Sequence, residues 1–140
     1  MVKVTLMNQS KVIKCKIRLD VPGYNKSGRF LFGSKDGTAM AKENRLKEIN
    51  MLKNVPLQGV KFEKISSALD VYTIEEDGKT MAYAPIEVEV TADILEDILP
   101  LITRSDFSKI EIVEPSDITL DKGQGERLLT RIGLEYRNNM

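Results

Sequence analysis

Residues 13–21 alternate strictly between apolar and polar side chains, which is the period of a β-strand. On such a strand the apolar row lies on one face and comprises Ile13, Cys15, Ile17, Leu19 and Val21. The side chains between them are charged, so the opposite face is open to water. Parallel strands are usually apolar on both faces, whereas antiparallel sheets often have one solvated face. The segment therefore predicts a mainly antiparallel sheet with helices on one face.

Apolar residues at helical spacing occur in two further parts of the chain. We expect a first helix between Thr38, as its N-cap, and Asn54, with Pro56 ending it. Its predicted core face comprises Leu46, Ile49, Met51, Leu52 and Val55. We expect another amphipathic helix over 125–138, with an apolar face made of Leu128, Leu129, Ile132 and Tyr136.

Strand patterns fill the region between these helices. Val60–Ile65 predicts a short strand, and Leu69–Glu75 with Thr80–Thr91 predicts a hairpin. The hairpin turns at Glu76-Asp77-Gly78, because Asp-Gly readily adopts the positive φ angles of a tight turn. Pro85 cannot donate a ladder hydrogen bond, so we expect it at a sheet edge, at a bulge or in a gap between two strands.

Residues 86–114 predict a strand, a helix and a strand, and Pro100 is expected to kink or end the short helix. One domain is expected over residues 1–140, because chains of this length commonly form a single core. The order of elements predicts an α+β fold with a ferredoxin-like or split βαβ plan.

Charge separates along the chain although the total is zero. Residues 1–64 contain 14 Lys and Arg against 5 Asp and Glu, whereas residues 65–140 contain 7 against 16. The two parts therefore carry net charges of +9 and −9. These charges can neutralise each other within the fold, pair between copies of the chain, or leave a basic face for a polyanion.

Composition excludes several classes of catalytic site. The chain contains no histidine, so His-dependent triads, Cys-His dyads and HExxH zinc sites cannot form. The single cysteine, Cys15, lies in the apolar strand row, and we expect a buried thiol. The carboxylates show no metal-binding spacing, so we expect no metal, no cofactor and no catalytic residue.

The alternating strand carries a basic row, formed by Lys14, Lys16 and Arg18, whose meaning depends on its neighbours. One hypothesis is a polyanion site for RNA or single-stranded nucleic acid, formed by Lys14, Lys16, Arg18, Lys26, Arg29 and Lys35. The other is a cross-strand ladder of opposite charges, if the strand carrying Glu87 and Glu89 is adjacent. We favour the ladder, because solvated ion pairs are common in sheets and polyanion sites are not.

These observations predict a small non-catalytic regulatory or protein-interaction domain that forms homo-oligomers through sheet edges or opposed charged faces. The alternatives are a nucleic-acid accessory protein and an enzyme that uses carboxylates and a divalent metal. No apolar run reaches the roughly 18 residues of a membrane span, and the first ten residues lack signal-peptide features. We therefore expect a cytoplasmic protein without membrane contact.

Overall fold

The computed structural model describes residues 12–23 and 37–138. The described elements, in chain order, are β1 (Ile13–Pro22), α1 (Thr38–Asn54), β2 (Val60–Ser66), β3 (Tyr72–Glu76), β4 (Lys79–Ala92), a 3₁₀ turn (Leu95–Ile98), α2 (Leu99–Ile102), β5 (Phe107–Glu114) and α3 (Lys122–Asn138). No helix in these ranges is long and apolar enough to cross a membrane.

The five strands form one antiparallel sheet, which confirms the predicted α+β class. Four of them follow the order β2-β4-β1-β5, and β3 pairs with the first part of β4. β1 and β2 lie on either side of β4, and α1 connects β1 to β2 along the chain. In the same way β4 and β5 lie on either side of β1, and α2 lies in the connection from β4 to β5. The two connections are therefore interleaved, and β1 and β4 occupy the centre of the sheet.

The core lies on one face of the sheet, between the central strands and the helices. The apolar row of β1 is buried as predicted, and the alternate residues of β4 from Ala82 to Ala92 are buried beside it. Leu52 of α1, Ile98 of the 3₁₀ turn and Leu101 of α2 belong to the same apolar cluster. The opposite face of the sheet carries the polar row.

The hairpin and its proline are confirmed. Asp77 and Gly78 have φ angles of 52° and 76°, as expected of a two-residue turn between antiparallel strands. Pro85 lies between the part of β4 that pairs with β3, which ends at Tyr83, and the part that pairs with β2, which begins at Glu87. β4 continues through Pro85, so the predicted gap between two separate strands was wrong. On the side away from β1, Pro85 has no neighbouring strand among the described residues and lies at a local sheet edge, another of the predicted positions, where the missing N–H breaks no ladder.

α1 turns a different face to the sheet from the one that its apolar residues predicted. Leu52 is buried and Ile49 is half-buried. The prediction was wrong for Leu46, Met51 and Val55, which are more than half exposed. Part of the inner side is polar, because Arg45 and Glu48 have partners in the sheet layer and in the segment before β5.

Thr38 is the first residue of α1, so its prediction as the N-cap was wrong. Gly37 is the cap, with φ 79° and ψ 5°, a left-handed conformation that glycine adopts without a steric penalty. Its carbonyl oxygen accepts a hydrogen bond from the amide N–H of Ala41 at 2.8 Å. A Cβ atom at Gly23 would lie 2.2 Å from that same oxygen. The end of β1 and the start of α1 therefore approach each other at two glycines.

The two remaining helices also differ from the sequence predictions. Pro100 stands in the first turn of α2, where a missing N–H costs no hydrogen bond, so it starts this helix instead of ending one. α3 contains no buried residue: of its predicted apolar face, Leu128 is half-buried, whereas Leu129, Ile132 and Tyr136 are exposed. Its contacts with the 3₁₀ turn include an ion pair between Arg127 and Glu96.

Candidate interaction surface

The polar row of β1 lies between two strands that carry carboxylates. Glu89 of β4 and Glu111 of β5 are both opposite Lys16, and Glu87 of β4 is opposite Arg18. Directly opposed residues of an antiparallel ladder point to the same face, with Cβ atoms about 4.5–5.5 Å apart. The predicted juxtaposition of the basic row with Glu87 and Glu89 is therefore confirmed.

Charge on this open face alternates across four strands along the line Lys64, Glu89, Lys16 and Glu111. Over the part of this face formed by β1, β2, β5 and residues 85–92 of β4, the described residues supply equal numbers of cations and carboxylates. The cations are Lys14, Lys16, Arg18, Lys61, Lys64 and Lys109, and the carboxylates are Asp20, Glu63, Glu87, Glu89, Glu111 and Glu114. This part of the face therefore carries no net charge, and Lys14, Lys16 and Arg18 of β1 are each opposite a carboxylate in the ladder.

Two ion pairs form along the basic row itself. Lys14 Nζ lies 3.2 Å from Glu114 of β5, and Arg18 Nε lies 2.8 Å from Asp20 on the same strand. The first pair is more than half exposed, so water and salt screen it and its contribution to stability is small. Lys16 and Lys109 have no carboxylate within 4 Å in the described chain.

One end of the open face carries a cluster of aromatic and charged side chains. The hydroxyl of Tyr72 donates a hydrogen bond of 2.8 Å to Asp20 Oδ2, and the rings of Tyr72 and Tyr83 stack with centroids 5.5 Å apart. Arg18 Cζ lies 5.8 Å from the centre of the Tyr72 ring. Burial, together with the hydrogen bond to Asp20, raises the pKa of Tyr72 to about 12. Tyr72 therefore stays protonated and acts as a donor within the cluster.

The polyanion hypothesis rested on six basic residues. Lys14, Lys16 and Arg18 lie together on the open face, but beside the carboxylates of β4 and β5. Lys26, Arg29 and Lys35 lie outside the residues that the structure describes. The strand contribution is thus a compensated row, and a phosphate polymer lying on it would meet carboxylates as well as cations.

β5 forms an open edge of the sheet. It pairs with β1 on one side, and within residues 12–23 and 37–138 no strand pairs with its other side. Its register with β1 is regular from Lys109 to Ile112 and shifts at both ends of that stretch. Ile112 is 42% exposed and the following Val113 is 50% exposed. The edge therefore combines unpaired backbone groups with exposed apolar side chains.

α3 presents a second exposed apolar surface. Leu129 and Tyr136 are both 69% exposed, and Ile132, which shares their helical face, is 42% exposed. The other side of α3 lines a shallow groove of 490 Å³ with Glu96, Arg127 and Arg131. Exposed apolar faces of this kind mark association surfaces more often than isolated exposed residues do.

Other titratable groups do not converge on a reaction centre. Among the described residues, no three His, Cys, Asp or Glu side chains are arranged to hold a metal ion. Burial raises the pKa of Asp97, with a smaller contribution from the charge of Glu96, and Asp97 packs against Gly59. Cys15 is buried as predicted, and burial raises the pKa of its thiol, which favours the unreactive form.

The sequence did not single out the residues that join separate elements through polar contacts. Arg104 contacts Glu48 of α1 and donates two hydrogen bonds of 2.8 Å to Asp106, just before β5. The hydrogen bonds to Asp106 raise the pKa of Arg104 further, so the guanidinium stays charged. Tyr72 and Asp20 form another such contact across 52 residues of chain. In the sequence, Tyr72 and Asp20 are each only a polar residue at a strand position, and such a residue does not specify a partner.

Comparison with protein-family models, curated proteins and solved structures found no match for this chain.

Proposed function

We propose that this chain is a small non-catalytic protein-interaction domain that associates with a second copy of itself. The observation that carries the proposal is the alternation of charge on the open face of the sheet. The line from Lys64 to Glu111 ends at the edge formed by β5, where Glu111 lies two residues from Lys109, a cation with no carboxylate within 4 Å among the described residues. A surface that presents both signs of charge at one edge is complementary to its own copy.

Exposed apolar residues support the same function. Eight of the fourteen most exposed large apolar side chains of the described residues lie in the 94–136 part of the chain, on or near β5 and α3. Association would remove part of this apolar area from water at about 25 cal/mol per Å². On β5, the exposed Ile112 and Val113 lie on the same strand as Lys109 and Glu111, so charged and apolar features occur together at this edge.

Fold and location enter the proposal as well. The interleaved connections and the strand order β2-β4-β1-β5 support a ferredoxin-like plan, with β3 as an added edge strand. The single cysteine, which is buried and free, is compatible with the reducing environment of the cytoplasm. We therefore include a cytoplasmic location and a single-domain chain in the proposal.

Sedimentation velocity over a range of protein concentrations and salt concentrations tests self-association. We expect a concentration-dependent dimer at low salt, and a lower dimer fraction as salt rises because screening weakens charge pairs between exposed groups. A monomer at every concentration and salt condition would overturn the proposal.

A further inference from the structure

We infer that the outer edge of β5 pairs antiparallel with β5 of a second copy, centred on Ile110, so that Lys109 of each copy faces Glu111 of the other. The inference rests on the proposed self-association and names the surface that performs it. Its basis is the direction of the backbone groups of β5 and the position of its two charges.

Backbone groups of β1 alternate between its two neighbours, as in any antiparallel ladder. The amide N–H of Asp20 donates to the carbonyl oxygen of Asp106 at 2.7 Å, which places the backbone groups of Asp20 on the β5 side. Lys16 and Arg18 are even-numbered like Asp20, so their N–H and C=O groups also point toward β5.

The register then assigns the backbone groups of β5. Lys109 and Glu111 are the partners of Arg18 and Lys16, so their own N–H and C=O groups bond to β1. Ile110 lies between these two residues and Ile112 follows Glu111. Both therefore present their N–H and C=O groups at the open edge. A strand that is added to this edge must therefore bond to Ile110 and Ile112.

Two copies of β5 satisfy this requirement when a twofold axis passes through Ile110. The N–H of each Ile110 then donates to the carbonyl oxygen of the other Ile110, which forms a hydrogen-bonded pair at the axis. Lys109 and Glu111 of opposite copies become the adjacent non-hydrogen-bonded pairs, in which side chains approach most closely. A shift of one residue would place the charged side chains of one copy on the apolar face of the other.

Charge supports the same register. Lys109 has Arg18 as its neighbour within the sheet and no carboxylate within 4 Å in the described chain. Glu111 ends the alternating line of the open face, with Lys16 on its inner side. A second copy supplies Glu111 to the first Lys109 and Lys109 to the first Glu111, so the alternation continues across the interface.

Charge reversal with mixing tests this pairing by sedimentation velocity at low salt. Lys109→Glu and Glu111→Lys each place like charges across both symmetric pairs, so each variant alone is expected to show a roughly tenfold weaker dimer. An equimolar mixture of the two variants restores opposite charges and is expected to regain wild-type association. The double variant Lys109→Glu with Glu111→Lys should also regain it by itself, and it provides a readout if a single variant folds poorly.

The control is Lys42→Glu, which makes the same charge change as Lys109→Glu but on the exposed side of α1. Thermal unfolding of every variant checks that the fold is retained. If wild type dimerises and the two β5 variants dimerise equally well, the β5 pairing is wrong while the proposed self-association stands. A wild-type chain that stays monomeric overturns both.

Discussion

Arg45 of α1 donates a hydrogen bond of 3.2 Å to the carbonyl oxygen of Pro85 in the middle of β4. Pro85 lies in the gap between β3 and β2, where no strand is available to accept or donate ladder bonds. The guanidinium also donates to the carbonyl oxygen of Leu69 at 2.9 Å, in the segment that crosses this gap. One side chain thus supplies the hydrogen bonds that a continuous neighbouring strand would have made.

Arg45→Met should reduce the free energy of unfolding by about 1–3 kcal/mol, because it leaves the part-buried Pro85 carbonyl without its donor. Methionine keeps most of the aliphatic stem, so the loss reports the hydrogen bonds more than the packing. Urea unfolding provides the measurement. Lys42→Met on the exposed side of the same helix is the control, and an equal loss in both variants would contradict the assigned role.

Tyr72 should make the stability of the protein depend on alkaline pH. Its folded pKa of about 12 is above the value near 10 expected in the unfolded chain. The unfolded state therefore loses the phenolic proton first, so the stabilisation is complete below about pH 10 and is lost as pH rises through about 12. The difference in unfolding free energy between wild type and Tyr72→Phe should be constant below that window and should fall within it.

Asp20→Asn provides the matched test of the cause. It removes the charge of the acceptor that the Tyr72 hydroxyl bonds, so the phenol should titrate closer to its ordinary pKa. Ultraviolet absorbance of the phenolate follows this titration. An unchanged titration in Asp20→Asn would show that burial alone raises the pKa.

Local patterns predicted the sheet better than they predicted the faces of the helices. The period-two alternation of β1 determines which side chains are buried, because one row must face the core whichever strands are adjacent. The turn at Asp77 and the local sheet edge at Pro85 were predictable for a similar reason, since each follows from the backbone chemistry of the residue itself.

Helix orientation depended on partners that are distant in sequence. The inner side of α1 includes Arg45 and Glu48, whose partners lie 24 to 56 residues further along the chain. No local pattern reports such a partner, so the apolar residue Leu46 wrongly appeared to mark the core face. The neighbours of the basic row were equally non-local, because strand order determines which side chains lie beside it.

Gly23→Ala should destabilise the junction between β1 and α1. The added Cβ would lie 2.2 Å from the carbonyl oxygen of Gly37, a backbone atom that is held by its own hydrogen bond to Ala41. Overpacking of this kind costs about 1–3 kcal/mol, measured by urea unfolding. Gly133→Ala in α3 is the matched control, because its Cβ meets no atom within 4 Å and alanine favours the helix by about 0.5–1 kcal/mol. Equal effects of the two substitutions would contradict the close approach.

The wild-type chain should not bind RNA or single-stranded DNA measurably at low salt through its basic row. Binding to a nucleic acid gains free energy by releasing counterions from the phosphates that cations neutralise. On this face, Glu89 and Glu111 lie on either side of Lys16, and Glu87 lies beside Arg18, so phosphates near these cations also meet repulsive charge. Fluorescence anisotropy with labelled oligonucleotides across a salt series provides the measurement.

Replacing Lys14, Lys16 and Arg18 together by glutamine separates the two interpretations of the row. With a charge ladder, the triple variant leaves Glu87 and Glu89 without their opposed cations, so unfolding occurs at lower urea concentration while oligonucleotide binding stays undetectable. With a polyanion site, wild type would bind at low salt, affinity would fall linearly on a logarithmic salt scale, and the triple variant would lose it. Binding that is retained in the triple variant would instead place the contact outside β1, and the ladder would stand.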